Sequence, residues 1–160
     1  MNPTAPRSSR GFSLLEVTVV ALIVAILAAV VVPRFVGLEG DARTSSASAT
    51  LGAVRAALAA HRTNGVIAGT DPFPSLEQLT EPGRVLAQPI PPNPFTGASG
   101  VQAVSRAQAE AHAVLNEAVY GWNYFVDNDA DPPVAIFYAN SDDESTAEAA
   151  DGRRLLASEL

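Results

Sequence analysis

Hydrophobic positions follow three successive patterns along this chain. From Phe12 to Val32, every residue except Ser13, Glu16 and Thr18 is apolar, a run of 21 residues. As a helix this run is roughly 31 Å long, about the depth of one bilayer hydrocarbon core. Pro33 and Arg34 end it. From Arg34 to His61 the pattern becomes amphipathic. Leu51, Val54, Leu58 and His61 recur at the spacing of one helical face, while Asp41, Arg43, Arg55 and Arg62 mark the polar side. Asn64-Gly65 reads as a C-terminal stop. One long helix is therefore predicted from about Phe12 to Arg62, weakened in its middle by Pro33, Gly37 and Gly40.

The third pattern is short elements among turn formers. Ser75 is placed to cap a short helix carrying Leu76 and Leu79. Ile90 and Phe95 are interleaved in the proline-rich stretch 89–97, which favours an ordered loop. Residues 103–118 are Ala-rich and helix-prone, with Val104, Ala111, Leu115 and Ala118 available to a sheet. Two aromatic, strand-prone runs follow, Tyr120–Val126 and Val134–Asn140, and an acidic turn between them predicts an antiparallel hairpin. Trp122, Tyr124, Ile136 and Tyr138 alternate along it and read as core rather than as a ligand site. The last dozen residues read as a mobile tail.

Composition changes this picture in two places. Apolar residues make up 48% of the chain, but the first run takes a large share. The remainder is Ala-rich with a thin core. It is too small to surround a fully apolar soluble helix, so the run reads as a retained membrane span. No small-residue cleavage site follows it, unlike a secretory signal. The net charge is −7 and every basic residue is Arg, with no Arg cluster, which disfavours a nucleic-acid partner. The absence of cysteine excludes a disulfide framework, a zinc ribbon and a thiol nucleophile. The only histidines are His61 and His112, in helix-prone stretches. His61 reads as a helix-face residue, and no nucleophile, phosphate-loop or metalloprotease motif occurs. The sequence reads as a non-enzyme.

Arg7 and Arg10 precede the span and favour a cytoplasmic start, which puts residues 34–160 outside the cytoplasm. Glu16 is the misfit. A carboxylate inside an apolar span costs a few kcal/mol and calls for a partner or a function. No Arg or Lys lies within the span. An amine created by cleavage at its start would serve, and a Glu snorkelling to the interface is the alternative.

Arg10-Gly11-Phe12-Ser13-Leu14-Leu15-Glu16-Val17 resembles the type IV prepilin, or class III, signal. A short basic leader precedes a Gly at the scissile bond, a Phe follows it, and a Glu stands fifth in the mature chain. Pro33 also fits the family's long N-terminal helix. The stretches Pro72–Leu79 and Pro89–Gly97 loosely resemble loops of the major pseudopilins of type II secretion. The resemblance implies an α+β pilin-like fold, a long helix with a transmembrane first half, packed on a small antiparallel sheet. It implies cleavage between Gly11 and Phe12 by a membrane-bound prepilin peptidase, with N-methylation of Phe12. It further implies that the ammonium of Phe12 pairs with Glu16 of an adjacent subunit. The partners implied are other copies of the chain, minor pseudopilins, the peptidase and an inner-membrane assembly platform. The expected organisation is a leader over 1–11, an assembly helix over 12–33, an amphipathic half over 34–62, and a globular domain with an acidic tail over 63–160. The product would be a bacterial inner-membrane protein incorporated into a secretion pseudopilus or a related filament. A signal-anchored binding module or enzyme that uses the span only as a tether is the competing class.

The turn Asp127-Asn128-Asp129-Ala130-Asp131 leaves two readings open. Its D-x-D-x-D spacing, with Asp142 and Asp143 following the second strand, supplies oxygen ligands for Ca²⁺. Major pseudopilins resemble this in holding calcium through a carboxyl-rich C-terminal loop. The turn is not an EF-hand, because Pro132 and Tyr138 stand where that loop needs Gly and Glu. The other reading is a solvated hairpin turn.

Overall fold

The computed structural model describes residues 13–160, apart from the side chains of residues 33–36. In chain order its elements are α1 (Leu14–Ala68), α2 (Leu76–Thr80), β1 (Val101–Ala103), α3 (Arg106–Glu110), β2 (Trp122–Asp127), β3 (Val134–Ala139), β4 (Glu144–Glu148), β5 (Arg154–Leu156) and a closing 3-10 turn, Ala157–Glu159. The fold is α+β and pilin-like, as the sequence led us to expect. The chain divides into two compact units, Met1–Leu38 and Glu39–Leu160.

The helix α1 runs without interruption through Pro33, Gly37 and Gly40. Pro33 removes one hydrogen bond from the ladder but does not end it. The stop expected at Asn64-Gly65 is corrected: α1 continues to Ala68. Gly65 serves a close approach instead. A Cβ there would lie 2.6 Å from the Asp71 carbonyl oxygen, and the Thr70 N–H donates to the Gly65 carbonyl at 2.9 Å. The left-handed turn that ends the helix falls at Gly69, with φ +70°.

In the Glu39–Leu160 unit, the helical face Ala47, Leu51, Val54 and Leu58 joins Phe73, Leu79, Val101, Trp122, Tyr124 and Phe137 in one buried cluster. Ile90 and Phe95 pack against it from the proline-rich loop, which is ordered as expected. Each large side chain so buried contributes about 1.5–3 kcal/mol. The Trp122 and Phe137 rings stack with centroids 5.5 Å apart, and Trp122 Nε1 donates to the Pro91 carbonyl at 2.8 Å. The helix α2 begins as expected at Ser75, which forms a capping box with Gln78.

The sheet runs β1-β2-β3. The antiparallel hairpin β2–β3 is present, but β1 lies parallel to β2, so the sheet is mixed. Register corrects one expectation. Phe137 stands opposite Tyr124 and Ala139 opposite Trp122. The face of β3 in the core therefore carries Phe137 and Ala139, not Ile136 and Tyr138. Tyr138 is buried on the other face, where its hydroxyl donates to the Ala113 carbonyl at 2.9 Å and its ring lies 5.1 Å from that of His112.

That second face explains residues 103–118. The helix expected there is reduced to the five residues of α3, capped by Ser105 and Gln108. His112 and Asn116 take positive φ values of 47° and 50° and break the helix. The chain then lies over the sheet, where buried amides capture its backbone. Asn140 Oδ1 accepts from the Leu115 N–H at 2.9 Å, and Asn140 Nδ2 donates to the carbonyls of Leu115 and Tyr120 at 2.6 and 2.7 Å. Asn123 Nδ2 donates to Asn140 Oδ1 at 2.9 Å, and Gln102 Nε2 to Asn123 Oδ1 at 2.8 Å. Among the described residues, no buried side-chain nitrogen or oxygen lacks a hydrogen-bond partner. Backbone approach is just as close at Gly121, where a Cβ would overlap the Ala98 carbonyl oxygen.

The C-terminal segment is folded, which corrects the expected mobile tail. The strands β4 and β5 pair antiparallel. The Thr146 N–H donates to Thr44 Oγ1 on α1 at 2.9 Å, and Gly40 allows the Thr146 methyl to come close. Ala157 and Ser158 are buried, and the Ser158 N–H donates to the Ser141 carbonyl at 3.0 Å. Arg153 grips both oxygens of Glu159 at 2.7 and 3.2 Å and, by that hydrogen bonding, holds the Glu159 carboxyl below its usual value.

One consequence of this packing is an alkaline limit. Tyr124 donates its hydroxyl to the Pro74 carbonyl at 2.8 Å in the core, and burial raises its pKa well above the usual value. Below about pH 10 the phenol is neutral whether the chain is folded or unfolded, and its contribution to stability is complete. Above that pH the unfolded chain loses the proton and the native one does not, so stability falls as pH rises. Denaturant midpoints at pH 8 and pH 11 will show the fall, and Tyr124→Phe will reduce it to the part due to Tyr138, whose pKa burial also raises. An equal fall in that variant would assign the effect elsewhere.

Candidate assembly surface

The described part of the Met1–Leu38 unit is the first stretch of α1. Its Leu, Ile and Val side chains from Leu14 to Val32 are 47–81% exposed. The most apolar 18-residue window has mean hydropathy 2.9, none of it buried. By length and composition it is fit to cross a membrane. Thr18 spends its hydroxyl internally, donating to the Leu15 carbonyl at 2.8 Å. A helix apolar on every side needs lipid or other apolar helices around it.

Glu16 sits in the first turn of α1. Its carboxylate is exposed, and among the described residues no cation lies within salt-bridge distance of it. Two local features favour a charge there. The amide dipoles at a helix start attract an anion. Ser13-Leu14-Leu15-Glu16 also has the S-x-x-E spacing of a capping box. Neither satisfies both carboxylate oxygens, so Glu16 keeps capacity for a cation. Gly11 and Phe12, where cleavage and methylation are expected, lie outside the described residues.

The five carboxylates considered for calcium are not gathered into a site. Asp127 Oδ1 accepts from the backbone N–H of Asp129 and Ala130 at 3.2 and 3.1 Å, which closes the turn on itself. Arg106 Nη1 lies 3.7 Å from Asp127 Oδ2. Asp129 and Asp131 are exposed. Asp142 is exposed too, and Asp143 Oδ2 accepts from Ser141 Oγ at 3.1 Å. Among the described residues, no three His, Asp or Glu side chains are placed to hold a metal ion. The turn instead acts through Asn128, whose side chain accepts from the Phe73 N–H and donates to the Phe73 carbonyl, both at 2.9 Å. This pins the chain that enters α2.

His61 is a helix-face residue, as expected, with Nδ1 3.3 Å from the Pro72 carbonyl oxygen. Sequence reasoning missed Asn128, Asn123, Asn140 and Arg55. The guanidinium of Arg55 donates to the Leu160 and Phe137 oxygens at 2.9 and 3.4 Å, tying the chain end to α1. Only long-range pairing reveals these roles, because each side chain's partners lie far away in sequence.

A lone carboxylate in the first turn of a fully exposed apolar helix, continued into a helix that packs on a small sheet, is the arrangement expected of a type IV pilin-like protein. Comparison with known proteins agrees. Residues 6–32 match the family model for the prokaryotic N-terminal methylation motif, a span that includes Gly11, Phe12 and Glu16. The chain is also similar to the type IV narrow pilus major component PilA5 of Thermus thermophilus, at 45% identity over 51 residues. That match takes in 32% of this chain and 44% of the relative, so the chain spans less than half the length of the curated relative it matches. No solved structure matches the chain.

Proposed function

We propose that this chain is a structural subunit of a type IV pilus-like filament, of the kind that forms a pilus or a type II secretion pseudopilus. The observation that carries the reading is Glu16, a carboxylate with no cation beside it among the described residues, on a fully exposed apolar helix inside a matched methylation motif. A prepilin peptidase removes residues 1–11 and methylates Phe12. The span then holds the chain in the membrane, with residues 34–160 outside the cytoplasm, until an assembly platform adds it to other copies. Within the filament the apolar helices bundle. Lipid is as apolar as Leu, so their close packing and the pairing of Phe12 with Glu16 drive association more than transfer from lipid does. The name of the Thermus relative favours a pilus over a secretion pseudopilus. A tethered enzyme or binding module needs neither the cut at Gly11 nor Glu16.

The chain has no lysine, so a processed subunit carries one amine, at its start. Intact-mass analysis of protein from cells with an active prepilin peptidase should give a chain beginning at Phe12 and heavier by one methyl group. An amine-reactive reagent should then label that position alone. A full-length, unmethylated product would sink the reading.

A further inference from the structure

Among the described residues, Arg43, Arg84, Arg106, Arg153 and Arg154 each lie within 4.0 Å of an Asp or Glu oxygen. Arg55 is held at 2.9 Å by the oxygen of the last residue, Leu160, and Arg62 has no carboxylate oxygen within 4.0 Å among the described residues. Arg55 and Arg62 belong to the Glu39–Leu160 unit and line one groove of about 310 Å³, together with Leu58, Phe73 and the β3 residues Ala135, Ile136 and Phe137. Arg62 lies over the Phe73 ring, 5.5 Å from its centroid. A positive groove on a chain of net charge −7 stands out against the rest of the surface.

The strand wall of this groove is an open sheet edge. The Trp122 N–H donates to the Gly100 carbonyl, and the Tyr124 carbonyl accepts from the Val104 N–H. These peptide groups of β2 therefore face β1. In an antiparallel ladder the pairing alternates. The hydrogen-bonded pairs between β2 and β3 are then Asn123 with Tyr138, Phe125 with Ile136 and Asp127 with Val134. The main-chain groups of Ala135 and Phe137 point the other way, into the groove. Arg55 meets the Phe137 carbonyl at 3.4 Å. Among the described residues, the N–H groups of Ala135 and Phe137 have no partner on that side.

We propose that this groove binds an extended, acidic segment of another protein, which adds to β3 as a further strand. An open edge supplies main-chain hydrogen bonds to any extended chain. The charges select which chain. Arg55 and Arg62 are seven residues apart on α1, roughly 10 Å along the helix, or about three residues of a strand. A carboxylate of the added strand pairs with Arg62, whereas Arg55 is held by the Leu160 and Phe137 oxygens. Edge-to-edge pairing of two copies would bring their two Arg62 guanidinium groups together and is opposed by their repulsion. This proposal stands apart from assembly through the N-terminal helix.

The test uses the full chain in neutral-detergent micelles and a blocked peptide that alternates Val with Glu. Two control peptides carry Gln in place of Glu, or N-methyl groups on the amides of the pairing edge. The acidic peptide should bind and slow amide exchange at Ala135 and Phe137. Replacing its Glu by Gln, or making Arg62→Gln, should weaken binding about tenfold, and Arg62→Lys should restore most of it. Arg62 is exposed, so these variants fold. N-methylation should abolish binding. Equal affinity for the Gln peptide, or binding without protection of the two amides, would overturn the proposal. Prior protection of those amides in assembled filaments would also overturn it, because a second copy would then hold the edge.

Discussion

Glu16→Leu is expected to leave the chain inserted in the membrane and to abolish filament formation. Insertion becomes easier, because a carboxylate is unfavourable even near the start of a span, by less than the roughly 2.5–3.5 kcal/mol of the helix centre, and Leu is favourable there. On the proposed pairing, assembly fails because the amine of Phe12 in the neighbouring subunit loses its counter-ion. Breaking a buried charge pair by removing one partner costs about 3–5 kcal/mol, or a factor of about 10²–10³ or more in association. Membrane fractionation and a count of sheared filaments separate the two effects. Glu16→Gln then distinguishes the pair from the local alternative. An amide is able to accept from the Ser13 N–H, as the S-x-x-E spacing of a capping box requires, but it carries no charge. If Glu16→Gln cells make normal filaments, Glu16 works as a cap and pairing between subunits is excluded as its role.

Asn140→Ala is expected to be the most damaging single change in the Glu39–Leu160 unit. It leaves unpaired the Leu115 N–H and the Tyr120 carbonyl, and it takes one of two partners from the Leu115 carbonyl, which keeps Gln102, and from the Asn123 amide, which keeps the Ala113 carbonyl. A buried polar group without a partner costs about 1–3 kcal/mol, and water entering the gap recovers part of it. The net loss is about 3–5 kcal/mol, which for a unit of this size lowers Tm by roughly 10–20 °C. Asn140→Asp keeps the two acceptor contacts but sets an anionic oxygen against two carbonyls, so it should be at least as harmful. Thermal melts of both variants check this. A shift of about 2 °C or less would show that the segment over the sheet is held by something other than Asn140.

How legible the fold was depended on how local its causes were. The capping box at Ser75, the helical face of Leu51, Val54 and Leu58, and the β2–β3 hairpin all arise from neighbours within a few residues, and the sequence pattern displayed them. The Asn64-Gly65 stop misled because Gly65 answers to Asp71, which the chain reaches only after turning back. Residues 103–118 misled because helix propensity is a weak preference, overridden where Asn140, Asn123 and Tyr138 capture the backbone between Ala113 and Tyr120. The tail misled because its apolar residues are few, and Ala157 becomes core only beside β3.

The sequence alone determined the class of protein. A charge misplaced in an apolar run, the residues before it and the length of the run are one-dimensional facts, because a membrane imposes a single thickness and a single polarity on any helix. Only the tertiary structure decided what the acidic turn, the second face of the sheet and the edge of β3 do. These depend on which donors and acceptors meet across the fold. In β3 the identity of the buried face turned on a register shift of one residue, which exchanges every inward side chain for its neighbour.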